Sequence, residues 1–177
     1  VSCGTCWACC NGRENICPNR QIISIPPREG AFAEYVTMPE RNLVTVPSDY
    51  YLQKAALVEP LAVGWHTAKL ALHKIDINME KNALVIGGGA IGLATALALR
   101  AMGIYDIVIS EFNPLRREYL QEHIYANVVE KTECSFPIVI DAVAYGSTRA
   151  EASHLVSPAG VITNEGIGDK TDGLNIS

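Results

Sequence analysis

The stretch "ALVIGGGAIGLATALALRAMGIYDIVISE", residues 83–111, holds two short apolar runs separated by a glycine-rich bend and an Ala/Leu-rich segment. "ALVIG" reads as a short, fully buried strand, Ala90–Met102 as a helix, and "DIVIS" (Asp106–Ser110) as a second strand. Gly87, Gly89 and Gly92 form G-x-G-x-x-G at the strand-to-helix junction. Gly87 permits the tight turn, Gly89 lets backbone N–H groups approach a diphosphate, and Gly92 lets the helix sit close on the strand. The N–H groups of Ala90 and Ile91 stand at the helix start, where unpaired donors and the helix dipole favour an anion. The glycines alone would mark only a tight turn. Glu111, ending the second strand where a ribose-binding acid is expected, turns the pattern into a dinucleotide site.

Working outward, the same alternation continues. Pro114–His123 reads as a helix opened by proline, "PIVIDAVA" as a strand, Ser147–Leu155 as a helix and "GVIT" as a strand. Short apolar strands alternating with helices predict an α/β fold, a parallel sheet covered on both faces. The run "EHIYANVVEKTECSFP" (Glu122–Pro137) is thin for a full strand–helix connection. Upstream, "GAFAEYVTMPERNLVTVP" (Gly30–Pro47) reads as two strands around a turn. Ser48 or Asp49 is expected to cap a helix that Pro60 then divides.

Composition sets bounds. The chain has 177 residues, 49% of them hydrophobic, and a net charge of −5, which excludes neither a core nor an enzyme. It does argue against a polyanion partner, since phosphate-backbone binding needs clustered Lys and Arg and the longest cluster is Arg116–Arg117. No nucleic acid and no membrane are expected as partners. No secretory signal precedes the cysteines, so a reducing, cytoplasmic setting is expected.

Five of the six cysteines fall in "CGTCWACCNGRENIC" (Cys3–Cys17). The spacing Cys3-x2-Cys6-x2-Cys9-x7-Cys17 lets successive thiolates turn inward around one zinc ion. Four thiolates fill a tetrahedral shell, so such a site is structural. Cys10 could replace Cys9 as third ligand; Cys9 is preferred because its spacing repeats the one before. A cluster of free or disulfide-paired thiols is the bland alternative.

Glu59, in "ALVEPLAVGWH", sits among apolar residues, where a metal or its bound water would be a natural partner and a solvated helix-end carboxylate the plainer one. His66 could face a cofactor crevice but reads more readily as a core or surface histidine. A carboxylate at Glu111 accepts ribose hydroxyls and repels a 2′-phosphate, favouring NAD over NADP. Arg116 and Arg117 blur this, because a guanidinium could bind that phosphate.

The order "CGTCWACCNGRENIC", "GAFAEYVTMPERNLVTVP", "LVEPLAVGWHTA", "VIGGGAIG", "SEFNPLRR" resembles the zinc-dependent medium-chain dehydrogenase/reductase family over nearly the whole chain. The resemblance implies a GroES-like, β-rich catalytic domain with its zinc lobe over about residues 1–20, followed by a Rossmann domain. It puts residues 1–60 in the former and 61–177 in the latter, both partial. It implies structural-zinc ligands Cys3, Cys6, Cys9 and Cys17, a pyrophosphate loop at Gly87–Gly92, and ribose contacts from Glu111 and Arg116. Glutamate at position 59 looks like the polyol, threonine and butanediol dehydrogenase branch, close to a catalytic zinc as ligand or through water.

The reaction so implied is hydride transfer between a secondary alcohol and a nicotinamide cofactor, in a homodimer or homotetramer. The family's other catalytic-zinc ligands come before the zinc lobe, so the chain is expected to be an interior piece or a trimmed version of such an enzyme, one that binds zinc and, weakly, dinucleotide without turnover. Two rivals stand beside this reading: a zinc-independent reductase of the same fold, and a non-catalytic zinc-binding module.

Overall fold

The computed structural model describes residues 1–76, 78–124, 126–166 and 168. It divides into two compact units, Val1–Tyr50 and Tyr51–Ser177.

The first unit is short on regular structure. It carries one helical turn, α1 (Trp7–Cys10), and 3₁₀ turns at Glu14–Ile16 and Glu40–Asn42. Its buried apolar set is confined to Ala8, Cys9 and Cys17. The two strands expected over Gly30–Pro47 do not form among the described residues. Phe32, Tyr35 and Val44 are almost wholly exposed. β-Propensity is a preference for a half-buried pleated surface, and a strand without a paired neighbour has neither ladder bonds nor cover. Arg41 ties the turn at 40–42 back to the cysteine loop by donating to the Ser2 carbonyl at 2.7 Å.

The second unit is a five-stranded parallel sheet. Its strands are β1 (Asn82–Ile86), β2 (Asp106–Ser110), β3 (Asn127–Val129), β4 (Phe136–Asp141) and β5 (Val156–Asn164), in the order β3-β2-β1-β4-β5. Helices α2 (Leu52–Ala55), α3 (Val58–Lys74), α4 (Ala90–Ala101), α5 (Pro114–His123) and α6 (Gly146–Leu155) complete it. The period-2 alternation of each strand sorts its side chains between two cores. Ala83 and Val85 of β1 join Ala68 and Ala71 of α3, Leu99 of α4 and Leu120 of α5. Leu84 and Ile86 face the other way, onto Ala152 and Leu155 of α6. Both faces are covered, as near-continuous apolar strands require.

Two helix expectations are corrected. Ser48 and Asp49 cap nothing: α2 begins at Leu52, with Tyr51 before it and no side-chain cap. The division expected at Pro60 falls upstream of it: α2 ends at Ala55 and α3 begins at Val58, so Pro60 is the third residue of α3, where its absent N–H would have had no intrahelical acceptor. Deeper along α3, Gly64 lets the backbones of α3 and α4 touch; a Cβ there would lie 2.5 Å from the Thr95 nitrogen. The thin run after α5 yields the three-residue β3, then six residues, 130–135, lead back to β4. That connection must descend the sheet and pass two strands, roughly 20 Å, which leaves no room for a crossover helix.

Candidate functional site

Two sites emerge, one in each unit. In the first, the cysteine loop folds inward. Gly4 and Gly12 take φ of +80° and +67°, a left-handed conformation that other residues rarely adopt, and so bend the loop on either side of α1. Cys6 precedes α1 and Cys9 lies one turn on, so both sulfurs emerge on one side. The Sγ atoms of Cys3, Cys6, Cys9 and Cys17 all lie within 4.8 Å of one another. The separations are 3.9 Å for Cys3–Cys9, 3.5 Å for Cys6–Cys9 and 3.8 Å for Cys6–Cys17. A tetrahedron of sulfurs around zinc at ~2.3 Å has edges of about 3.8 Å, so the donor set fits that ion. The Cys3 N–H points at Cys17 Sγ and the Cys6 N–H at Cys3 Sγ, each at 3.4 Å. Such amide donors favour the thiolate form. Hydrogen bonds from the Thr5 and Cys6 backbone pull the Cys3 thiol down to about 5, whereas burial pushes Cys9 up to about 11.

Cys10 stands outside the cluster. It is exposed and donates to the Thr5 carbonyl at 3.6 Å. Geometry therefore separates two neighbours that spacing left open, because one step along a helical turn swings a side chain by about 100°.

The second site lies where the sheet order reverses between β1 and β4, at the carboxyl ends of the strands. A cleft of about 550 Å³ opens there, lined by Gly87, Gly89, Glu111, Phe112, Arg116 and Val143 among others. Gly87 has φ +95°, the left-handed turn only glycine takes freely. A Cβ on Gly92 would collide with the Gly87 carbonyl, and one on Gly89 would meet only Arg116, 4.0 Å away. Gly92 thus closes the helix onto the turn, while Gly89 leaves the approach to the α4 N-terminus open. Ala90 and Ile91 begin α4, so their N–H groups are among its unpaired donors.

Glu111 is buried, 4% exposed. Its Oε2 accepts from Gly88 N–H at 2.9 Å and its Oε1 from Asn113 N–H at 2.7 Å. Arg116 Nη2 stands 3.4 Å from the same Oε1 and is itself half-exposed. The acid thereby fixes the glycine turn from across the strand and keeps lone pairs for a ligand in the cleft. The two arginines that looked alike in sequence differ in place. Arg117 donates to the Glu111 and Phe112 carbonyls, each at 2.8 Å, and to Glu130 Oε2 at 3.0 Å.

Glu59 lies in the first turn of α3 and is exposed, so water meets its charge without a metal. Among the described residues no group of three or more metal-ligating side chains includes it. His66 is exposed on the same helix, beside Val58, Leu61 and Trp65. Asp141 escaped the sequence reading. Fully buried, it accepts from the N–H groups of Val143 and Ala144 at 3.0 and 2.8 Å, and from the Thr148 hydroxyl at 2.9 Å. It shapes the cleft wall after β4. A charged residue ending an apolar strand was the available signal.

Residues 1–48 match the family model described as the alcohol dehydrogenase GroES-like domain. Over 118 residues the chain is 35% identical to sorbitol dehydrogenase of Bacillus subtilis (strain 168), covering 67% of this chain and 32% of that protein. Over 113 residues it is 41% identical to (R,R)-butanediol dehydrogenase of Saccharomyces cerevisiae, covering 64% and 28%. Among solved structures, a Sinorhizobium meliloti 1021 protein assigned as a zinc-binding dehydrogenase, bound to NADP, superposes with TM-score 0.86 at 26% identity. That alignment takes in 100% of this chain and 55% of the other. The chain spans about a third of the length of these curated relatives. With the doubly wound sheet, the glycine turn and the cysteine cluster beside these likenesses, the chain belongs to the zinc-type medium-chain dehydrogenase/reductase family, the alcohol dehydrogenase-like proteins.

Proposed function

We propose that this chain holds one structural zinc ion on Cys3, Cys6, Cys9 and Cys17 and one nicotinamide dinucleotide in the cleft at the β1–β4 switch. The observation that carries the cofactor reading is Glu111, a buried carboxylate bonded to the glycine turn with acceptor capacity facing the cleft. Gly87 and Gly89 open the approach, the N–H groups of Ala90 and Ile91 receive the diphosphate, and Glu111 with Arg116 takes the adenosine ribose. NAD is favoured over NADP. Arg117 is turned onto two carbonyls and Glu130, so it is not poised for a 2′-phosphate, and Glu111 repels one. The NADP held by the Sinorhizobium meliloti relative supports the dinucleotide class rather than this preference.

For the whole protein we infer an oxidoreductase that moves a hydride between a secondary alcohol of polyol, diol or threonine type and the nicotinamide. The names of the relatives support this class. The dinucleotide supplies the hydride acceptor or donor. This chain's share is to bind and orient it. Structural zinc supplies a cross-link in a unit with little apolar core. Glu59 is the candidate for a place near a catalytic zinc, but it stands without companion ligands among the described residues, so the chain alone is expected to bind without turnover. A cytoplasmic location and a homodimeric or homotetrameric assembly belong to the same proposal. Among the described residues no helix is long and apolar enough to cross a membrane.

Calorimetric titration of the zinc-loaded chain with NAD tests the reading. Saturable binding that weakens at least about tenfold in Glu111→Ala is expected, a loss comparable to hydrogen bonds made to a charged group. A chain that ignores both NAD and NADP would overturn it.

A further inference from the structure

Glu111 has a neighbour of the same charge. β2 and β3 run parallel with Ser110 opposite Val129, and the Glu111 N–H donates to the Val129 carbonyl at 2.9 Å. The residues that follow, Glu111 and Glu130, therefore stand side by side, one strand spacing of about 4.8 Å apart. Both line the same cleft. Glu111 is buried and binds the Gly88 and Asn113 N–H groups and Arg116, with acceptor capacity left toward the cleft. Glu130 is exposed and holds Arg117, whose side chain is 20% exposed, at 3.0 Å. The next residue, Lys131, lines the cleft as well. This rim thus carries two cations, Arg116 and Lys131, with Arg117 behind it held by the Glu130 carboxylate.

We propose that Glu130 is a specificity-determining residue for the cofactor, acting through Arg117. It keeps that guanidinium folded back on the Glu111 and Phe112 carbonyls and lowers the positive potential where a ribose 2′-phosphate would sit. Glu111 disfavours the phosphate by like-charge repulsion at the ribose, and Glu130 does so by withholding the counter-ion. A guanidinium is the side chain best shaped to clasp a phosphate in two-point fashion, so the chain carries an NADP-binding group and keeps it tethered. Without Glu130, Arg117 retains two neutral carbonyl acceptors among the described residues, against which a phosphate dianion competes well. This rests on the dinucleotide reading above.

The test is titration of the zinc-loaded full chain with NAD and with NADP, for the wild type, Glu130→Gln, Glu130→Asp and the double variant Arg117→Gln/Glu130→Gln. In Glu130→Gln the NADP-to-NAD affinity ratio is expected to rise roughly fivefold to tenfold, the scale of one charge removed several ångströms from a partly screened site. Glu130→Asp is expected to restore the wild-type ratio in part, and the double variant to abolish the gain. The Arg117 side-chain N–H resonances provide a second readout, expected to shift on adding NADP in Glu130→Gln and to stay in place in the wild type. A ratio unchanged within twofold in Glu130→Gln, or a gain that survives loss of Arg117 with its resonances unmoved, overturns the proposal while leaving dinucleotide binding intact. A wild-type chain that binds neither nucleotide sinks the cofactor reading and this inference together.

Discussion

Glu165 shows how one side chain can carry a measurable pH signature. It follows β5, donates its N–H to the Asp141 carbonyl, and accepts the Thr95 hydroxyl at 2.8 Å. Burial raises its carboxyl above the usual 4.5, outweighing the opposing bonds from Thr67 and Thr95. A raised folded-state pKa means that protonation favours the folded chain. The stability difference between the wild type and Glu165→Gln should therefore move against the wild type as pH climbs from 4.5 through the raised value, then level off. Urea denaturation from pH 4 to 8 reads this difference, and a flat difference would dismiss it. Glu111 offers a second test at the same scale. Removing its carboxylate in Glu111→Ala orphans the Gly88 N–H, so a loss of about 1–3 kcal/mol in unfolding free energy should accompany the weakened NAD binding. Glu111 was legible in the sequence because strand end and spacing mark it. Glu130 was not, because it belongs to no spaced motif and gains its place from the pairing of β2 with β3; Asp141, bonded to the turn that follows it, carried only the weak signal of a charge ending an apolar strand.

At the scale of elements, the parallel sheet rests on close approaches that glycine alone permits. Gly64 brings α3 onto α4. Gly64→Ala should lower unfolding free energy by about 1–3 kcal/mol, as overpacking does, and a thermal melt of the second unit would show it. A substitution at an exposed position of the same helix, such as Lys69→Ala, supplies the comparison and should change little. β1, β2 and α5 were readable as elements because fully apolar runs and a proline-opened helix announce themselves locally. Asn113 adds a cap there, accepting from the Leu115 and Arg116 N–H groups at 3.0 and 3.2 Å. The strands expected over Gly30–Pro47 failed for the complementary reason. Their residue types suit strands, but a strand exists only with a partner, and pairing is a property of the assembled sheet.

For the molecule as a whole, the two units differ in what holds them. The second has two apolar cores. The first buries little beyond Ala8, Cys9 and Cys17, so its order should depend on the metal its thiolates accept. Metal analysis is expected to find one zinc per chain. Chelation, or Cys17→Ser, should abolish hydrogen-exchange protection within Val1–Tyr50, while protection of the sheet strands persists; protection of that segment unchanged without zinc would contradict this. By itself the sequence determined the doubly wound alternation, the glycine turn with its acid, and a cysteine spacing suited to zinc, because each is written in residues close along the chain. Only the tertiary structure decided that Cys9 and not Cys10 turns inward and that Arg116 faces the cleft while Arg117 is tethered. It alone placed Glu130 beside Glu111. Those outcomes depend on the direction in which a backbone aims a side chain and on which strands become neighbours, and neither is fixed until the sheet has formed.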